Sequence, residues 1–371
     1  MACVQFRGRA LLSTAVLAFM GVGAGAGPES AAVGNHAIVT AAYTAGCAPM
    51  QPAQESRVET VRLPIPHARG LAPLPGGRWL VVASARNGVF IARRLEPGVP
   101  ISAVTALGPQ LEGKVELEGL EDVAADGQGN VYLLAAHGRT PRGDAPESRL
   151  RLARLRFDPQ GELLEARQTR ALADAIVNQI PFLADALRRP PARAGLKLEG
   201  LAWSAGGELL VGLRSPTVTE SRPRPDGSHE DAVFLRIRNP AGPFSAVPEE
   251  LVLGEVTTQN LGGQGVRGLA WDAARRRHWI VTGLSAEPNH PVASPWGLFA
   301  GAEGSAPARM RLPAGVAVSD PTGVALSNGG THLLLLEGSA ADSRVSRIPL
   351  QFIEEEPAST PKVKAREEAG A

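Results

Sequence analysis

Two carboxylates and two guanidiniums stand at matching places along this chain. Glu121, Glu199, Arg69 and Arg267 each open a short stretch of similar make-up, and Thr322 opens a fifth. Glu118 and Asp320 lie a few residues from such openings, and Arg214 ends the second strand of its repeat. Gathered round one cavity, these groups have two chemical uses. In the first, the arginines grip an anionic ligand bidentately, while a glutamate acts as general base or holds a hard divalent cation such as Ca2+. In the second, the charges neutralise one another as a salt-bridge network tying repeats together, because charges at a narrow mouth must be paired. Ca2+ alone is disfavoured, since the arginines already offset the acids. The first use makes Glu199 and Glu121 the candidate catalytic carboxylates. Arg214, Arg267, Arg69 and Asp320 are then the candidate ligand-binding groups. Glu199 is the strongest candidate, because it opens the best-preserved copy and precedes a glycine that permits close backbone approach.

Other chemistry-bearing residues are less ordered. His137, His229, His290 and His332 show no HExxH or His-x-His spacing and read as surface histidines. No G-x-S-x-G occurs. Gly262-Gly263-Gln264-Gly265 lacks the Lys-Ser/Thr of a phosphate-binding loop and reads as a turn. Arg275-Arg276-Arg277 reads as a solvated hairpin tip.

The elements that must position the charges follow from the repeat. Glu199-Gly-Leu-Ala-Trp-Ser-Ala-Gly-Gly-Glu-Leu-Leu-Val-Gly and Arg267-Gly-Leu-Ala-Trp-Asp-Ala-Ala-Arg-Arg-Arg-His-Trp-Ile-Val-Thr-Gly are the clearest copies. Further copies start at Glu121, Thr322 and, most weakly, Arg69. Each copy has a polar opening, two apolar positions, a turn rich in Gly, Asn or Asp, and an apolar run of strand length. That is a β-hairpin. Strand-like pieces follow at 89–93, 150–157, 232–237 and 345–352. The five openings are 52, 78, 68 and 55 residues apart, against about 40 to 50 for a four-stranded blade. A sandwich has no reason to reuse one hairpin five times, whereas a radial array does. The expected fold is all-β, a β-propeller of five four-stranded blades. The 121–199 interval is long enough to hide a degenerate sixth. The strand 58–65 precedes the first repeat and is placed to close the ring on the last blade. Residues 171–189 carry apolar positions at helical spacing, with Pro181 breaking them into two short helices. This insertion reads as a decoration capping a sheet edge, with a substrate lid as the other reading.

Leu198-Glu199-Gly200-Leu201-Ala202, with Leu210-Val211-Gly212-Leu213-Arg214-Ser215-Pro216 and Gly265-Val266-Arg267-Gly268-Leu269, resembles the signature of the bacterial domain of unknown function 3616 family. Ser215 departs from it, where a second glycine is expected. The resemblance implies a propeller-like fold and no particular reaction. A more distant resemblance, through the Glu-Gly-Leu-Ala hairpin, is to exported phytase-like phosphoesterase propellers, which implies acidic, metal-binding sites.

Composition bounds the remainder. The 371 residues carry 38 basic and 37 acidic side chains, a formal net charge of +1, so no positive field favours nucleic acid. Aromatics are 4%, too few for an aromatic-lined sugar groove. Residues 1–26 read as a signal peptide: Arg7 and Arg9, then the apolar run from Ala10 to Val22, then small residues. That run is too short for a spanning helix, and no other stretch could span a membrane. Residues 27–55 read as a flexible leader, 56–353 as the propeller, and 354–371 as a disordered tail. Cys3 leaves with the signal, so Cys47 has no disulfide partner and no cysteine zinc site can form. Ala45-Gly46-Cys47 partly resembles a lipoprotein attachment site, so Cys47 is a lipidation candidate. The expectation is a periplasmic or extracellular protein, or an outer-membrane lipoprotein if Cys47 is acylated. It binds a small anionic ligand or a protein partner at one mouth of its channel. The alternative is a metal-assisted hydrolase of phosphoesters or other anionic esters.

Overall fold

Each repeat carries its own turn chemistry. In the second repeat, Asp126 Oδ1 accepts the backbone N–H groups of Gln128 (2.7 Å) and Asn130 (3.1 Å), and Oδ2 accepts Asn130 Nδ2 (2.7 Å). Gly127 and Gly129 take φ of 75° and 91°, which a side chain would resist. That turn folds the strand Leu120–Ala125 back against Asn130–Ala135. The computed structural model describes residues 58–95, 101, 103–219, 230–285 and 295–357. In it the hairpins grow into five antiparallel sheets, the blades of a five-bladed β-propeller.

The inner strands of blades 1 to 5 are Ala68–Leu74, Leu120–Ala125, Lys197–Trp203, Gly265–Asp272 and Gly323–Leu326. They are the five motif copies, and they contact one another in ring order. Their C-terminal ends converge on one cavity of about 540 Å3, so all five run the same way along the axis. No sixth blade lies in the 121–199 interval, which holds blade 2 and two helices. Glu59–Leu63 pairs with Ser343–Pro349 as the outermost strand of blade 5, closing the ring with the N-terminal end of the described chain. Glu354–Glu355 pairs with Met310 and Arg311 on blade 4, so the ordered chain runs past Ile353, where its apolar content ends.

The apolar core divides into five clusters, one per seam between blades. The motif alanine of each blade packs in the same cluster as the motif Leu or Val of the next. The pairs are Ala72 with Val123, Ala124 with Leu201, Ala202 with Leu269, Ala270 with Val324 and Ala325 with Leu71. A small residue on one side and a branched one on the other lets wedge-shaped blades interlock at native density. The helices Ala171–Gln179 and Pro181–Leu187 bury Leu172, Ile176 and Leu183 in the seam between blades 2 and 3. They therefore plug an inter-blade groove and do not merely cover a sheet edge. Among the described residues no helix is long and apolar enough to cross a membrane. Residues 1–26 and 27–55, Cys47, and the tail from 358 lie outside the described residues.

Nearest the axis, glycine is required. A Cβ on Gly323 would meet Arg69 O at 2.3 Å, which is backbone and cannot swing aside. Gly323→Ala is expected to destabilise the protein by about 3 kcal/mol. Gly206→Ala, whose Cβ meets nothing nearer than 3.8 Å, should unfold within about 0.5 kcal/mol of wild type. Urea titration of both variants checks the contrast, and equal midpoints would contradict it.

Candidate functional site

The charged motif residues owe their direction to β-bulges. Pairing between the first two strands of a blade steps past Arg69 in blade 1, Glu121 in blade 2, Glu199 and Arg214 in blade 3, and Arg267 in blade 4. A bulge leaves one residue out of the ladder and re-aims its side chain. The same device in four repeats therefore aims five charged side chains at one mouth of the channel.

There the structure brings together Arg69, Glu121, Glu199, Arg214, Arg267 and Asp320. Arg69 Nε lies 3.7 Å from Glu121, and Lys197 Nζ 3.5 Å from the other Glu121 oxygen. Lys197 also pairs with Glu199. Arg214 Nη1 reaches both Glu199 oxygens, at 2.9 and 3.3 Å. Arg267 Nε lies 3.8 Å from Glu199, and Arg267 Nη1 pairs with Asp320. The ion pairs run from blade 1 to the loop before blade 5. The remaining seam, between blades 5 and 1, is bridged by Thr322, whose hydroxyl lies 3.0 Å from Ala68 O. Glu337 holds the loop carrying Asp320, accepting Ser319 N at 2.8 Å and Asp320 N at 3.3 Å. Glu118 stands apart from these pairs and accepts Ser148 Oγ.

Depth separates the two signs. The Glu121 and Glu199 side chains are only 5% and 3% exposed, while Arg69, Lys197 and Arg214 are 25%, 23% and 22% exposed. Cations therefore form the solvent-facing layer over buried carboxylates. The exposed carboxylate, Asp320, is clipped to Arg267. Burial pushes the Glu199 carboxyl up, but Lys197, Arg214 and Arg267 outweigh it and bring it down to about 2. Burial raises Glu121, and Lys197 and Arg69 only partly oppose that.

Two participants were not read from the sequence. Lys197 sits two residues before Glu199, on the same face of the strand. Asp122 occupies the position that is Gly70, Gly200, Gly268 and Gly323 in the other blades. Its carboxylate accepts Leu201 N (2.8 Å) from blade 3, Leu269 N (3.3 Å) from blade 4 and its neighbour Val123 N (2.8 Å). A group bonded to both blades 3 and 4 from blade 2 must lie at the axis. Burial holds its carboxyl well above the ordinary range. The signal was available: aligned column by column, the repeats show one aspartate among four glycines.

Two expectations are corrected. His137 is not a surface histidine. It is fully buried at φ 52°, with Nδ1 2.8 Å from Ala135 O, because it ends an inner hairpin that the chain around Leu196–Leu198 covers. Burial lowers it to about 4. His229 and His290 lie outside the described residues, and His332 is partly buried. The Arg275–Arg277 tip is not merely solvated. Arg275 and Arg277 flank the buried Asp272, and Arg277 lies over the Trp279 ring at 4.3 Å. Among the described residues, no three His, Cys, Asp or Glu side chains are grouped as metal ligands would be.

No family model and no curated protein matches this chain. Among solved structures it is similar to the PQQ-bound aldose sugar dehydrogenase of Streptomyces coelicolor. Identity is 17% and the TM-score 0.39, over 81% of this chain and 99% of that one. It is also similar to a family AA12 carbohydrate-active enzyme of Trichoderma reesei, at 12% identity and a TM-score of 0.42 over 78% and 95%. A third is the PQQ domain of Coprinopsis cinerea pyranose dehydrogenase, at 9% identity and a TM-score of 0.36 over 81% and 99%.

Glu199→Gln leaves three cations facing a neutral amide in a buried place. The expected cost at pH 7 is about 3 to 5 kcal/mol. The pH dependence has a definite sign. A carboxyl held down at about 2 contributes stability above its ordinary 4.5 and loses it as pH falls toward 2. Wild type should therefore lose stability in that window, and Glu199→Gln should not. A separate loss, common to both proteins, is expected as pH falls from 6.5 toward 4. It comes from buried His137 and His278, each lowered to about 4 and neutral in the fold. Denaturant titrations across pH check both windows. A Glu199→Gln variant as stable as wild type at pH 7 would contradict the pairing.

Proposed function

We propose that this chain is an exported propeller of the domain of unknown function 3616 type. In this reading it binds a small anionic ligand at the charged mouth of its channel. One observation carries the reading: Arg69, Lys197 and Arg214 are partly exposed at that mouth while Glu121 and Glu199 lie beneath them, and the exposed carboxylate, Asp320, is paired with Arg267. An arriving anion meets these partly exposed cations ahead of the buried glutamates. Guanidiniums suit carboxylate or phosphate oxygens. The opposite mouth offers less. Its cavity is lined largely by alanines and leucines, and its acids Asp126 and Asp272 are already engaged. The metal-assisted hydrolase reading needs a carboxylate free to hold a cation, and both glutamates are gripped by Arg or Lys.

Inorganic phosphate and acetate, titrated by calorimetry at low salt, test the reading. Binding should weaken as NaCl rises. Arg69→Gln should cost about tenfold, or about 1.4 kcal/mol. Asp320→Asn, which removes the exposed carboxylate from the mouth, should tighten binding several-fold. No anion binding, together with a rise in melting temperature on adding Ca2+, would replace the anion reading with the metal-assisted one.

A further inference from the structure

Beside the charged mouth lies a second cavity of about 500 Å3, between the helical insertion, blade 3 and the start of the loop after the second strand of blade 4. It adjoins the mouth through the chain on both sides. Ser215 follows Arg214, and Ser285 follows Leu284, whose carbonyl accepts Arg214 Nε at 2.9 Å. Its lining is unlike the rest of the surface. Ser215, Thr217 and Ser285 present hydroxyls. Thr217 Oγ1 donates to the buried Glu230 at 2.7 Å, which leaves its own lone pairs to accept from a ligand. Ser215 and Ser285 are themselves more than nine-tenths buried. Arg189 stands on the wall with no carboxylate partner among the described residues. Phe182, 41% exposed, forms an apolar wall.

Hydroxyls that both donate and accept, one apolar face and one spare cation are the complement of a polyhydroxylated anion. Its hydroxyls satisfy the serines and the threonine, and its C–H face covers Phe182. Its charged end meets Arg214 at the mouth or Arg189 on the wall. A simple carboxylate or an aliphatic acid would leave the hydroxyls unpaired, which costs affinity. We infer that this cavity binds the hydroxylated body of an anionic polyol, a sugar acid or a sugar phosphate. The inference rests on the anion-binding reading of the mouth and names the class of ligand that mouth takes.

The decisive comparison is gluconate against hexanoate, which share a charge and a chain length and differ in hydroxyls. Gluconate should bind wild type at least tenfold more tightly. Thr217→Val and Ser285→Ala, each checked for an unchanged melting temperature, should weaken gluconate at least fivefold and leave inorganic phosphate unaffected. Phe182→Ala should do the same should Thr217→Val fail to fold. Glucose 6-phosphate measured beside gluconate tells a sugar phosphate from a sugar acid, and neutral glucose should bind more weakly than both. Equal affinity for gluconate and hexanoate, or a gluconate affinity indifferent to these substitutions, overturns the inference. If phosphate still binds in that case, the mouth reading stands without the pocket. Failure of wild type to bind phosphate strikes the mouth reading itself.

Discussion

Five strands converging on one axis leave no room for side chains where they come closest, and that constraint organises the molecule. At that level the residues are Gly70, Asp122, Gly200, Gly268 and Gly323. A Cβ on Gly70 would lie 2.4 Å from Asp122 Oδ1, so the glycine makes space for the one carboxylate at the axis. That carboxylate is satisfied by backbone N–H groups of blades 3 and 4 and by Val123. Burial still holds its carboxyl well above the ordinary range, with the three donors opposing that. The carboxyl thereby ties blades 2, 3 and 4 together at the axis.

Irregular pairing beside the axis gives rise to the charged ring. The ladder slips by one residue in four blades, while blade 5 pairs in regular register. The slipped residue cannot point into a seam already filled by Leu, Val and Ala. It turns to the mouth and must be polar. Once charges collect there they must be matched. Blade 3 supplies Glu199 with Lys197 and Arg214, and blades 1, 2 and 4 supply Arg69, Glu121 and Arg267. Pairing ties the blades together, and the unequal depth of the two signs leaves a cationic face. On the proposed function, a structural and a binding role share one cluster, the buried acids serving the first and the partly exposed cations the second.

Much of this was readable in the sequence where the information is local. The hairpin motif encodes its own turn, so five copies disclosed the five inner strands, and strand 58–65 disclosed the closure. The break at Pro181 divided the helical insertion as expected. What was not readable depends on neighbours distant in sequence. Lys197 matters because Glu121 comes within 3.5 Å from another blade. His137 is buried because Leu196–Leu198 crosses it. The pocket beside Arg214 is assembled from an insertion, a blade 3 loop and a residue after blade 4's second strand. No spacing within one repeat announces it. The Asp122 exception was visible but silent until the glycine column had a physical meaning.

On the proposed function, the five-bladed ring presents a charged mouth and an adjoining hydroxyl-lined pocket to one anionic ligand. A crystal structure of the protein grown with gluconate tests this most directly. The account predicts the carboxylate against Arg214 or Arg189, and hydroxyls within hydrogen-bond distance of Thr217 and Ser285. Gluconate seated instead in the alanine-lined cavity at the opposite mouth would contradict it.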